Sequence, residues 1–204
     1  MKERGEQNLK TNFRKLKADE IECRVGTIKK DGSGLSLLLY KDARCDMNIL
    51  DETVGVMNWK REHTRDNQNC IVSIYDDDKK EWVSKEDTGT ASNTEAEKGL
   101  ASDSFKRACV NWGIGRELYT APFIWVKAEQ ASIEKYKDKW VCRDRFYVEK
   151  ITYKENGDID GLSVINGETK QRVFVKKPTE VKKTGDPVKD GKAILENHFG
   201  KVEK

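Results

Sequence analysis

Along residues 101–112 the apolar positions recur at helical spacing. Ala101, Phe105, Ala108, Cys109 and Trp112 form one stripe at about 100° per residue, which predicts a long helix with one face against a core. Gly113 stands where a left-handed helix terminator belongs. The start is marked twice: Ser92-x-x-Glu95 and Thr94-x-x-Glu97 each make a capping box, and the sequence leaves both open. Upstream the period changes to two. Strands are predicted at 23–28 and 35–40, joined by the turn Asp31-Gly-Ser-Gly34, and antiparallel strands at 59–65 and 70–75. A charged hairpin tip at 76–81 leads into a further strand that begins at Trp82. Between the two strand pairs, 41–53 reads as a helix with Ala43, Met47 and Leu50 on one side and Val54-Gly55 closing it.

Beyond Pro122 the run Phe-Ile-Trp-Val is a short buried strand or turn, and the charged stretch 128–139 reads as a surface helix. From 140 to 175 the pattern is strand-turn-strand-turn-strand, with Asn156-Gly157 and Asn166-Gly167 each read as a tight two-residue hairpin turn. The ends differ in character. Residues 1–17 carry six Lys/Arg against two Glu and read as a basic arm or short helix, with Leu9, Phe13 and Leu16 spaced i, i+4, i+7. Residues 176–192 carry six Lys against three acids and two of the three prolines, a linker composition; 188–199 follows as a short terminal helix. There is no internal repeat. Strands followed by one long helix predict an α+β fold: an antiparallel β-sheet of several strands with the long helix packed on it, and a C-terminal β-hairpin unit. Residues 1–175 read as one domain and 176–204 as a flexible basic linker with its terminal helix, either a frayed tail or a docking element for a partner.

Composition changes this picture only in places. Of 204 residues, 37% are charged and 36% hydrophobic, enough for one core beneath a strongly solvated surface. The net charge is only +3, so a basic surface must be a local patch. Cys23, Cys45, Cys70, Cys109 and Cys142 are odd in number, scattered and without a C-x-x-C step. With two histidines in the chain, that argues against a zinc site and for a reducing cytoplasm. No apolar run is as long as a membrane span, and no secretory h-region opens the chain.

Catalytic chemistry finds little support. Asp76-Asp77-Asp78 lies beside Lys79-Lys80 and reads as a solvated hairpin tip. The steps Gly32-Ser-Gly34 and Gly113-Ile-Gly115 lack the Gly-Lys-Ser/Thr of a phosphate loop. The reading is of a non-enzyme with no cofactor and no metal. Trp112 continues the apolar stripe and Trp59 opens a strand, so both read as core. Lys106 and Arg107 fall to either side of the face opposite the stripe. Two adjacent cations on a core-anchored helix suit a phosphate-backbone site; the same residues also suit an ordinary solvated helix face.

The residues Val83, Ser84, Glu86, Gly89, Ala96, Lys98, Asp103, Lys106, Arg107, Ala108, Gly113, Gly115 and Leu118 resemble the signature region of the Rad-fifty-two/Rad-twenty-two family of single-strand annealing proteins. Two upstream blocks, Glu20-Ile21-Glu22-Cys23-Arg24 and 48–59 (Asn-Ile-Leu-Asp-Glu-Thr-Val-Gly-Val-Met-Asn-Trp), resemble the family in the same order and at similar spacing, so the likeness covers about 20–122. The chain departs from the pattern in having a single glycine in Thr88-Gly89-Thr90 and a glycine, Gly99, inside the helix. The resemblance implies a DNA-binding recombination protein of phage or prophage type in a bacterial host cytoplasm. It would anneal complementary single strands without ATP and assemble into a homo-oligomeric ring or filament of subunits with a β-β-β-α core. It places Arg24, Lys106 and Arg107 on motif positions lining an inner groove, with Lys98 as a further helix lysine. Lys60, Arg61 and Lys85 flank matched positions as outer DNA contacts. Single-stranded DNA is the implied partner, and the tail offers a docking element for a single-strand-binding or replication protein. The alternative is an α+β protein-interaction adaptor without a nucleic-acid role, which the low net charge favours; a divergent nuclease lacks the carboxylate cluster it would need.

Overall fold

The computed structural model describes residues 12–90 and 96–179, with the side chains of residues 96–98 left aside. The expected capping boxes at 92–97, Leu9 and the terminal helix lie outside the described residues. The chain forms two compact units: one built from 1–21 and 40–119, the other from 22–39 and 120–204.

The first unit is the expected β-β-β-α core. Strands β3 (Trp59–Thr64), β4 (Asn69–Asp76) and β5 (Glu81–Thr88) form an antiparallel sheet, and α2 (Ala96–Trp112) packs on β4 and β5. Alternation along each strand decides which residues meet the helix. Register places Trp59 beside Ile74, Arg61 beside Val72 and His63 beside Cys70, with Val83, Lys85 and Asp87 completing the rows. Against them lie Phe105, Ala108 and Cys109 of α2, all fully buried. Burying Phe105 alone contributes about 2–3 kcal/mol. The helix ends in a Schellman arrangement, the Gly113 N–H donating to Val110 and Ile114 N–H to Cys109, with Gly113 at φ 103°.

Helix α1 (Ala43–Val54) is capped by Asp42, whose side chain accepts from the Arg44 N–H, and closes at Gly55. Its buried face is Cys45, Asp46, Ile49 and Leu50, rotated from the expected Ala43, Met47 and Leu50 stripe because an aspartate takes a core position. Residues 12–17 form no helix, yet Phe13 and Leu16 are buried; the Leu16 N–H donates to the enclosed Glu117 carboxylate at 2.8 Å.

The second unit is a single six-stranded antiparallel sheet of order β11-β10-β9-β1-β2-β6. Its strands are β1 (Ile21–Ile28), β2 (Gly34–Lys41), β6 (Ile124–Lys127), β9 (Phe146–Tyr153), β10 (Ile159–Asn166) and β11 (Arg172–Lys176). The edges β11 and β6 approach each other, so the sheet curls into a nearly closed barrel around Leu35, Leu37, Ile124, Val126, Phe146, Leu162 and Val164. The C-terminal hairpins are therefore part of the sheet that contains β1 and β2.

Three local expectations need correction. Residues 128–139 are not a helix: a single 3₁₀ turn at Ala128–Gln130 gives way to β7 (Ile133–Tyr136), paired with β8 (Lys139–Cys142). The Asp144 carboxylate accepts the Ser132 N–H and holds the chain extended there, so tertiary pairing overrides local propensity. Nor are the two Asn-Gly steps two-residue turns. Lys154 and Asp158 close a three-residue loop with Gly157 left-handed at φ 88°. Asn166 ends β10 fully buried, its carboxamide bonded to Gln130, Asp144, Glu168 and Thr169, and the turn beyond it is longer.

Candidate nucleic-acid interface

The anchoring of α2 determines what its cations can do. Trp112 donates through Nε1 to the Val72 carbonyl at 3.0 Å, and Trp59 donates to Asp51 at 2.6 Å while stacking on Phe105. Both indoles are thus committed to the core side, as the apolar pattern suggests. Gly89 fixes the other end of the contact: a Cβ there would lie 2.5 Å from the Ser104 nitrogen and 2.7 Å from the Leu100 carbonyl oxygen.

On this rigid helix Lys106 and Arg107 point into different surroundings. Arg107 is 45% exposed, with Nε 3.4 Å from Asp87 on β5. Lys106 is half-buried on the side of α1, close enough to Asp42 and Asp46 for its charge to favour both carboxylates in ionised form. Asp42 is held below its ordinary value chiefly by hydrogen bonds from Arg44. Burial pushes Asp46 up to about 6, against the pull of the Lys41 ammonium.

The remaining candidates separate. Adjacent positions on a strand face opposite ways, so Lys60 and Arg61 cannot serve one surface. Arg61 faces α2, its guanidinium 4.8 Å from the Phe105 ring; Lys60 is on the reverse face over Trp82 at 4.5 Å, where Trp82 meets Tyr75 edge-on. Lys85 is engaged inside the unit: its ammonium donates to the Asn111 carbonyl at 2.8 Å and lies over the Trp112 ring. Arg116 donates to Val110 and Asn111, so two cations cap the negative end of α2. Lys98 lies in the first turn of α2, its side chain outside what is described. Arg24 belongs to β1 in the other unit, paired with Glu22 at 2.5 Å.

Sequence reasoning missed Lys41 and Asp46, a buried ion pair behind Lys106. The available signal was an aspartate inside the apolar stripe of α1, five residues after a strand-ending lysine. Elsewhere burial raises the thiols of Cys23 and Cys45 to about 12 and that of Cys70 to about 11. Among the described residues no His/Cys/Asp/Glu group is placed to hold a metal ion, and no helix is long and apolar enough to cross a membrane.

A three-stranded antiparallel sheet carrying one packed helix, with Lys106 and Arg107 on that helix, places the first unit in the α+β class. Residues 7–138 match the model of the Rad52/22 family of double-strand break repair proteins, and the chain belongs to that family. Its members are non-catalytic mediators of DNA repair and recombination. No curated protein and no solved structure matches the chain.

Proposed function

We propose that this protein binds single-stranded DNA along its sugar–phosphate backbone and anneals it to a complementary strand without ATP. The observation that carries the reading is the pair Lys106 and Arg107 on a helix locked against its sheet, within a family of double-strand break repair proteins. Annealing requires free base edges, and backbone contacts hold a strand without reading or covering its bases. Arg107, Lys106 and Arg24 are the proposed inner contacts, with Lys98 as a further helix lysine and Arg61 and Lys60 as contacts on two separate faces. Lys85 contributes by fixing the end of α2. A single small subunit offers few cations, so we take the working form to be a homo-oligomeric ring or filament larger than a dimer, of phage or prophage origin and active in the bacterial cytoplasm. The annealing domain is assigned to residues 1–175, with the tail beyond as a docking element for a single-strand-binding or replication protein.

The test is oligonucleotide binding as a function of salt. Lys106→Ala/Arg107→Ala should weaken binding for every sequence and make the logarithmic salt slope shallower by about 0.7 per lost contact. Unchanged binding by the folded double variant refutes the site. Light scattering with and without single-stranded DNA tests the assembly, and a monomer under both conditions contradicts it. One observation favours the adaptor reading: Arg24 and Arg107 have carboxylate neighbours and Lys85 a carbonyl, which reduces the charge offered outward. Absence of any binding at low salt would select that reading.

A further inference from the structure

Behind Lys106, three segments of the first unit meet on one buried cation. Lys41 ends β2 with 5% exposure, and its ammonium pairs with Oδ1 of Asp46, which is fully buried on α1. The same ammonium lies 3.5 Å from the main-chain carbonyl oxygen of Lys106. Its stem crosses Gly115, at φ 70°, where a Cβ would lie 2.5 Å from Cε and 2.6 Å from Cδ of Lys41. The other carboxylate oxygen, Asp46 Oδ2, is buried without a hydrogen-bond partner.

Stability alone is a poor reason for such a pair. Apolar residues of the same shape commonly do as well or better, because two desolvated charges recover little more than they lose. An unpartnered buried carboxylate oxygen makes the arrangement costlier still. What the ion pair supplies, and apolar packing does not, is direction. Held by Asp46 and by the glycine notch, the ammonium aims a donor at one main-chain oxygen of α2, that of Lys106. The Lys106 charge also acts on Asp46, so both lysines favour its ionised form.

We infer that Lys41 and Asp46 are positioning residues for Lys106, setting the rotation of α2 about its axis and hence the direction of its outward cations. The inference rests on the reading of Lys106 and Arg107 as phosphate contacts. Neither Lys41 nor Asp46 touches DNA; both act through the Lys106 backbone. Gly115 is part of the device, because any side chain there would displace the lysine stem.

The experiment replaces the pair by apolar residues of similar size, Lys41→Met/Asp46→Leu, and measures binding of a fluorescent oligothymidylate across a salt series. The folded double variant should bind about three- to tenfold more weakly at low salt, with a slope shallower by about 0.7. Adding Lys106→Ala to that background should then change affinity less than it does in the native background, a non-additivity that general loosening would not produce. If the double variant does not fold, Lys41→Gln serves in its place, since it keeps the stem over Gly115 and removes the charge. It should show the same non-additivity. Native affinity and slope in either folded variant, or full additivity with Lys106→Ala, overturns the inference while leaving the site reading intact. A Lys106→Ala/Arg107→Ala variant that binds like the native protein removes the site reading and the inference together.

Discussion

Replacing Gly89 by alanine should be among the most damaging single-methyl additions available in the first unit. The glycine is buried at the end of β5, and its N–H donates to the Gln68 carbonyl at 2.7 Å. A Cβ would lie 2.5 Å from the Ser104 nitrogen, 2.7 Å from the Leu100 carbonyl oxygen and 3.0 Å from the Ser104 Cα, all backbone atoms of α2. Side chains can rotate away from an added methyl; a helix backbone must move as a body. Overpacking of this kind costs typically 1–3 kcal/mol, and immovable neighbours put Gly89→Ala at about 3 kcal/mol. For a chain of this length that is a fall in melting temperature of about 6–12 °C. Gly113→Ala is the control. There a Cβ has no neighbour within 4 Å, but φ is 103°, so the penalty is conformational, about 1 kcal/mol. Urea denaturation followed by tryptophan fluorescence, with unchanged m-values as the check on two-state behaviour, gives both numbers. If Gly89→Ala costs no more than Gly113→Ala, the close approach of α2 to β5 does not exist as described. Because the methyl lifts the helix, weaker oligonucleotide binding should accompany the loss.

Other outcomes follow from named contacts. The Asp46 carboxyl sits at about 6 instead of the ordinary 3.8, so between about pH 4 and pH 6 the folded state holds a proton that the unfolded state has released. That contribution to stability therefore falls as pH rises through the window and is flat above it; urea midpoints of Asp46→Asn should lack the slope, worth at most about 3 kcal/mol. Arg172 and Ser163 hold the Glu149 carboxylate down to about 2 by hydrogen bonding, and an NMR titration of Arg172→Ala should show it moving up toward the ordinary range. Truncation after Val175 should lower the melting temperature relative to truncation after Thr179. It removes the bond from the Lys176 ammonium to the Ile159 carbonyl at 2.7 Å and those from Thr179 to Asp160. Equal melting temperatures would show that residues 176–179 do not brace β10.

The elements of the first unit are legible because their signals are local. The stripe through Phe105 and Cys109, the glycine stop at 113 and the alternation in β3 to β5 each state their geometry within a few residues. The six-stranded sheet is not legible in the same way. Nothing in the alternation of β1 names β9 as its partner, and Cys23 meets Phe146 only through tertiary pairing. The stretch 128–139 misleads because Ala, Glu, Gln and Lys favour helix, while the decisive contact comes from the distant Asp144. At the candidate site the charges are visible and their engagements are not. No spacing rule shows that Lys85 is spent on Asn111, or that Lys60 and Arg61 part company across a sheet, unless the strand is first placed with a core on one side. Asp46 was readable as an anomaly, a carboxylate within an apolar stripe, but its lysine partner lies on another element.

The interleaving of the two units has a consequence for how the molecule is made. A ribosome releases β1 and β2 before any of α1 or α2, but β9, which must pair with β1, emerges only after the whole of the 40–119 segment. The first unit has its sheet and both helices by the time Tyr119 leaves the exit tunnel and can close early. Until β9 has emerged, β1 waits with one edge unpaired, and such edges find wrong partners. Slow translation, or a pause between residues 119 and 146, would lengthen that interval, so the yield of native protein in a cell should depend on the speed of synthesis as well as on final stability.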